Sequence, residues 1–243
     1  MAFAGLSTMA AQSYRNPLSP KQPHFKPRAK RIIFACMRGG PSHVDTFDYK
    51  PALAKDNGKT AEGYGNRKLL ESPWKFPKRG KSGIEISELY PNLAKHADKM
   101  CLLNSMYGDI PNHPQCFVQL HTGSFQFVRP SLGAWVLYGL GAENQNLPGY
   151  VAMCPGLPVA DSSNWRSSFL PGIYQGTYLD TRKTKVTDLI ANILNSGMDM
   201  PQQRRQLDLL STLNRQHQNK RKEDANLEAR IQSFELAFRM QME

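Results

Sequence analysis

Three short apolar runs set the problem for this chain: RIIFACM (31–37), CLLNSM (101–106) and GYVAMC (149–154). Each runs into a loop built from Gly, Pro or Asx residues, and helical patterns lie between them. A run of this length without polar alternation reads as a strand buried on both faces, which is the habit of a central parallel strand. Leu89, Leu93, Ala97 and Met100 recur at helical spacing within 88–100. NHPQCFVQLHTG reads as a helix near 113–122, with Asn112 at its head and Gly123 at its end. PSLGAWVLYGLG (130–141) reads as another, with Pro130 near its start and glycines at its end. The alternation predicts an α/β fold: a mainly parallel sheet flanked by helices, with 31–37 and 101–104 in that sheet.

Between these elements, WKFPKRGKSGIEIS predicts a surface β-hairpin turning near Arg79–Gly83, and 155–200 is loop-rich. From Pro201 the pattern is helical. Leu207, Leu210 and Leu213 form one stripe; Leu227, Ile231, Phe234 and Phe238 form a second. The second helix meets no Gly, Pro or C-cap before Glu243, so the chain reads as truncated at its C-terminus, inside an amphipathic helix. The expected organisation is a flexible, basic, Pro-rich leader over 1–30, and over 31–243 the N-terminal portion of one α/β domain, with 201–243 helical.

Apolar residues make up 40% of the chain, and no apolar run reaches the roughly 18 residues of a membrane span. The net charge of +11 has the look of a nucleic-acid footprint until it is located. Arg15, Lys21, Lys26, Arg28, Lys30 and Arg31 carry more than half of it, with no acid among residues 1–31. A basic leader without zinc-finger spacing or an RNA-binding aromatic signature argues against nucleic acid as a partner. Cys36, Cys101, Cys116 and Cys154 form no C-x-x-C pair, and the first two sit in apolar runs, where core thiols are the ordinary reading. MAFAGLSTMAAQS resembles the end of a signal peptide but lacks a basic n-region.

Two loops hold most of the reactive groups. Ser42, His43, Asp45 and Asp48 follow the first apolar run; Asp109, Asn112, His113 and His121 follow the second. Mixed His and carboxylate donors suit zinc or another divalent ion, which would polarise an ester or activate water. The plainer alternative has Asn112 as a helix cap and His113 facing solvent. His121, at a helix C-terminus, reads as structural. His24, His96 and His217 read as solvated. Trp165 and Tyr174 are candidates for a substrate rim.

KRIIFACMRGGPSHVDTFDYKP, SMYGDIPNHPQCFVQLHTGS, RPSLGAWVLYGLGAENQNLPGYV and FLPGIYQGTYL, in that order, resemble a bacterial domain-of-unknown-function family, number 1501, often labelled sulfatase-like. The likeness runs from about Pro20 onward. It implies an alkaline phosphatase/sulfatase-like α/β fold, a metal-supported site for sulfate or phosphate esters, and export, since such proteins commonly carry a twin-arginine leader. Sulfatases resemble one another in C/S-x-P-x-R followed by Thr-Gly. Counted back from Thr122–Gly123, the nucleophile position is His113 and the arginine position is Phe117. A formylglycine nucleophile is therefore absent. Where the superfamily places an Asp after its first strand, this chain has Arg38–Gly39, and Asp45 is the nearest loop carboxylate.

The resulting expectation is a metal-dependent sulfate- or phosphate-ester hydrolase, exported, with a sulfate or phosphate ester or a polysaccharide as its substrate. His43, Asp45 and His113 would hold a divalent metal ion, zinc, calcium or another. His113 would be a ligand of that ion or itself the acceptor nucleophile, and Asn112 would orient the ester oxyanion. The alternative is a non-catalytic carbohydrate- or anion-binding surface protein on the same fold.

Overall fold

The computed structural model describes residues 16–158, 160–189, 197–220 and 225–241, with the backbone alone at 186–187, 215, 218–220 and 225–230. Within these, the chain forms two compact units: Arg31–Asp109, and residues 16–30 together with the described residues from Ile110 onward.

In the unit Arg31–Asp109, Pro51–Lys55 forms α1, and Lys78–Arg79 (β1) pairs antiparallel with Ile84–Glu85 (β2). This is the hairpin expected from the Arg79–Gly83 turn. Gly80 occupies it at φ 61°, and Ser82 N–H donates to Asp98 Oδ1 at 2.8 Å. The helix expected over 88–100 is two pieces, α2 (Pro91–Ala94) and a 3-10 turn at Ala97–Lys99. Pro91 opens α2, and His96 breaks the run at φ −106°, ψ 13°. Ile86, Ala94 and Ala97 are buried against Phe47, Ile84, Tyr90 and Met100, and the Phe47 and Tyr90 rings stack at 5.0 Å.

The other unit contains α3 (His113–Thr122), α4 (Leu132–Leu140), β3 (Val151–Cys154) and β4 (Thr177–Asp180). Short α5 (Val186–Leu189) follows, then α6 (Met200–Lys220) and α7 (Ala225–Met240). β3 and β4 pair in parallel, Val151 opposite Thr177 and Cys154 opposite Asp180. Ala134 and Leu137 of α4 pack with Leu18 and Tyr174 to make the core of this unit. The leader, read from its prolines as flexible over 1–30, departs from that reading at 16–21: Leu18 is 1% exposed. Ala142 N–H donates to Leu18 O at 2.8 Å and Lys21 N–H to Leu140 O at 2.9 Å. The Lys21 ammonium lies 5.0 Å from the Tyr138 ring centroid and 5.5 Å from that of Tyr174, and donates to Tyr138 O. Prolines remove donors, yet an apolar side chain between them still finds a core. Residues 1–15 lie outside the described residues.

The expected architecture is corrected in one respect. The fold is mixed α/β, but among the described residues its parallel sheet has only two strands, and 31–37 and 101–104 form no strand at all. Ile32 is 62% and Ile33 89% exposed. An apolar run states a demand for burial; it becomes a strand only where another backbone satisfies its N–H and C=O groups. The expected core thiols follow suit, with Cys101 exposed and Cys36 half-buried. Conversely, Trp165 and Tyr174, expected on a substrate rim, are buried; Trp165 stacks on Tyr178 at 5.3 Å, and the Tyr174 hydroxyl donates to Pro17 O at 3.4 Å.

The C-terminal helices meet through Arg204. Its guanidinium donates twice to Glu235, at 2.8 and 2.7 Å, and lies 5.0 Å from the Phe238 ring centroid. Leu210, Leu213 and Phe234 of the apolar stripes are exposed, while the Leu227 side chain lies outside the described residues. Arg204 holds the Glu235 carboxyl below its ordinary value. A depressed folded-state pKa adds stability above the unfolded value, about 4.3, and loses it as pH falls through the folded one. Acidification below about pH 4.3 should therefore loosen this helix pair. Glu235→Gln should cost about 1 kcal/mol near neutral pH and flatten that acid limb. Denaturant melts from pH 7 to pH 3 check this; a variant with the native acid limb would contradict it.

Candidate functional site

The loop after the first apolar run folds into a 3-10 turn, His43–Asp45, because the His43 carbonyl collects the N–H groups of Thr46, Phe47 and Asp48 at 3.2, 3.1 and 2.9 Å. That winding brings three chemically active side chains onto one short stretch. His43 is exposed, and its Nε2 lies 3.8 Å from Asp48 Oδ2. Asp48 is buried at 8% exposure, and accepts from Lys50 Nζ at 2.9 Å and Asn104 Nδ2 at 3.3 Å. The Lys50 ammonium, more than His43, holds the Asp48 carboxyl below its ordinary value. Asp45 is half-buried, and the Ser42 hydroxyl beside it holds its carboxyl below the ordinary value as well. Both carboxylates are thus ionised at neutral pH, each with donors already committed to it.

The second loop ends at α3. Asn112 sits at the N-cap with extended backbone (φ −74°, ψ 118°), and Pro114 stands in the first turn. Asn112 makes no side-chain cap bond, and the Cys116 N–H is taken by the Asn112 carbonyl at 2.8 Å. His113 is exposed and has no hydrogen-bond partner among the described residues. No acid occupies the first turn, so the partial positive charge of the free N–H groups is uncompensated. Gly123, at φ 75°, closes the helix through its N–H to Gln119 O at 2.7 Å. His121 lies half-buried one turn from Phe117, with ring centroids 6.1 Å apart, and burial pushes its pKa down. His24, His96 and His217 are exposed.

His43 and Asp45 therefore stand together on one turn of the unit Arg31–Asp109, and Asn112 and His113 stand together at the head of α3 in the other unit. A divalent ion needs three or four donors converging at about 2.0–2.2 Å. Among the described residues no three of His, Cys, Asp and Glu gather in that way.

A model of the family described as "Protein of unknown function (DUF1501)" matches residues 29–243. The chain belongs to DUF1501. No curated protein and no solved structure matches it. The DUF1501 match takes in both the His43 turn and the head of α3, so both candidate loops are parts of the family's domain and not appendages to it. Lys50 and Asn104, which donate to Asp48, are not marked as site residues by the sequence; Lys50 stands two residues from Asp48, and Asn104 reaches the turn only through the fold.

Proposed function

We propose that this DUF1501 chain is a sulfatase-like protein, related to the alkaline phosphatase/sulfatase superfamily and exported, that acts on sulfate or phosphate esters at the head of α3. The observation behind the reading is the pair Asn112 and His113: both are exposed, Asn112 leaves its cap bond unmade, and both flank unpaired backbone N–H groups. Those N–H groups and the Asn112 amide would hold the ester's non-bridging oxygens. An imidazole nitrogen of His113 would attack the phosphorus or sulfur; the ester oxygen would leave with its bonding pair and take a proton from water. A second water would then cleave the N–P or N–S bond and release the inorganic acid. A metal-dependent version would place zinc or calcium on His43, Asp45 and His113, and no step here runs through an ion.

The test uses the whole protein with 4-nitrophenyl sulfate and 4-nitrophenyl phosphate. His113→Ala should lower turnover by about 10²–10⁴, and Asn112→Ala by roughly 10²–10³, each without loss of fold. Unchanged turnover in His113→Ala would overturn the assignment. One equivalent of zinc or calcium surviving dialysis, and lost on chelation together with turnover, would return the metal to the reading. A native protein that binds phosphate or an anionic sugar without cleaving any ester would leave the second reading, a carbohydrate- or anion-binding surface protein. That reading draws on a groove in the unit Arg31–Asp109.

A further inference from the structure

The turn that carries His43 and Asp45 has a second side. There, α1 and the segment Glu71–Phe76 line an open groove of about 290 Å³. That is close to the lower end of small-molecule sites, about 300–1,000 Å³, and suits one ring rather than an extended chain. Its walls alternate in character. Tyr49 and Trp74 are aromatic and each 37% exposed; Lys50, Glu71 and Lys75 are ionic.

The walls are pinned from behind. Tyr49 stacks on Phe76 at 5.0 Å and 25°. Asn57 Nδ2 donates to Glu71 Oε1 at 3.2 Å, and Glu71 N–H donates back to Asn57 Oδ1 at 3.2 Å. Lys75 N–H donates to Glu88 Oε1 at 3.2 Å, and Glu88 N–H to Lys75 O at 3.0 Å. Lys50 is held by Asp48. What remains uncommitted faces outward: the Lys75 ammonium has no hydrogen bond or ion pair among the described residues, and the Glu71 carboxylate keeps acceptor sites beyond its one side-chain donor.

We propose that this groove binds a pyranose ring that carries an anionic group, either a carboxylate or an ester sulfate. The aromatic faces carry a negative quadrupole, which attracts the polarised C–H bonds of a sugar ring. Glu71 accepts from ring hydroxyls, and the free Lys75 ammonium pairs with the anion. A Pro-rich peptide fits less well, because it needs unbroken aromatic slots and offers few donors for Glu71. The proposal rests on the binding half of the reading above and not on hydrolysis: the groove holds its sugar whether or not an ester is cleaved.

The experiment measures binding by isothermal titration calorimetry on the whole protein, native and variant, with four probes. These are a galacturonate trimer, a sulfated galactan disaccharide, neutral cellotriose and a Pro-rich decapeptide. Saturable binding of one or both acidic sugars is the expected result, and the arm that binds more tightly distinguishes carboxylate from sulfate. Trp74→Ala should weaken it about tenfold, and Trp74→Phe much less. Lys75→Met should weaken the acidic probe about tenfold and bring it level with cellotriose. His113→Ala should leave binding intact, so loss of ester hydrolysis alone does not touch the proposal. No sugar binding, native affinity in both Trp74→Ala and Lys75→Met, or saturation by the peptide alone would each overturn it.

Discussion

Gly141→Val should destabilise the protein by roughly 3 kcal/mol or more. Gly141 ends α4 at φ 73°, ψ −164°, a region open in practice to glycine alone. A side chain there would also meet a backbone, since a Cβ would fall on the Ser19 carbonyl. A flexible neighbour could swing aside; a carbonyl held in a strap between Ala142 and Lys21 cannot. Equilibrium urea unfolding of the native protein and the variant measures the loss. A variant within about 0.5 kcal/mol of native would mean that the strap does not cross α4 at this point.

Leu18→Ala should cost about 2–5 kcal/mol. Leu18 is 1% exposed and packs with Ala134, Leu137 and Tyr174, and with half-buried Ala142, Tyr150, Leu170 and Ile173. The range depends on how far Tyr150 and Leu170 relax into the space left behind. Leu213→Ala serves as the comparison: at 50% exposure, it should move stability by no more than about 0.5 kcal/mol. Equal losses in the two variants would place Leu18 outside the core.

The elements most open to reading from sequence were those whose ends are marked locally. Pro114 and Gly123 bracket α3, and Pro130 with Gly141 brackets α4, because a fixed proline φ and a glycine at positive φ are one-residue affairs. The hairpin at Gly80–Gly83 was legible for the same reason. Strands depend on partners elsewhere. Arg31–Met37 has the apolar pattern of a strand and forms none, while TYLD at 177–180, set among Ser, Pro and Gly, is the parallel partner of β3. Nothing within four residues announces that pairing.

The candidate site divides along the same line. His43, Asp45, Asn112 and His113 stand out by chemical type and by their place after apolar runs. Their states do not. How far the Asp48 carboxyl is held down depends first on Lys50, and that of Asp45 first on Ser42. Trp165 and Tyr174 show the converse error: an aromatic in a polar stretch looks like a rim, and here it is the floor of a core.

The docked leader has a consequence for how the molecule would come apart. Asn16–Lys21 are held by packing and hydrogen bonds, whereas residues 24–30 that follow are exposed. A protease cut within 24–30 would break no core contact, yet it would turn an intramolecular clasp into a bound peptide. The clasp would lose the effective concentration that the chain supplies. Stability would then depend on dilution, as it does for any two-component complex. The nicked protein would stay intact when concentrated and shed its own first segment when diluted.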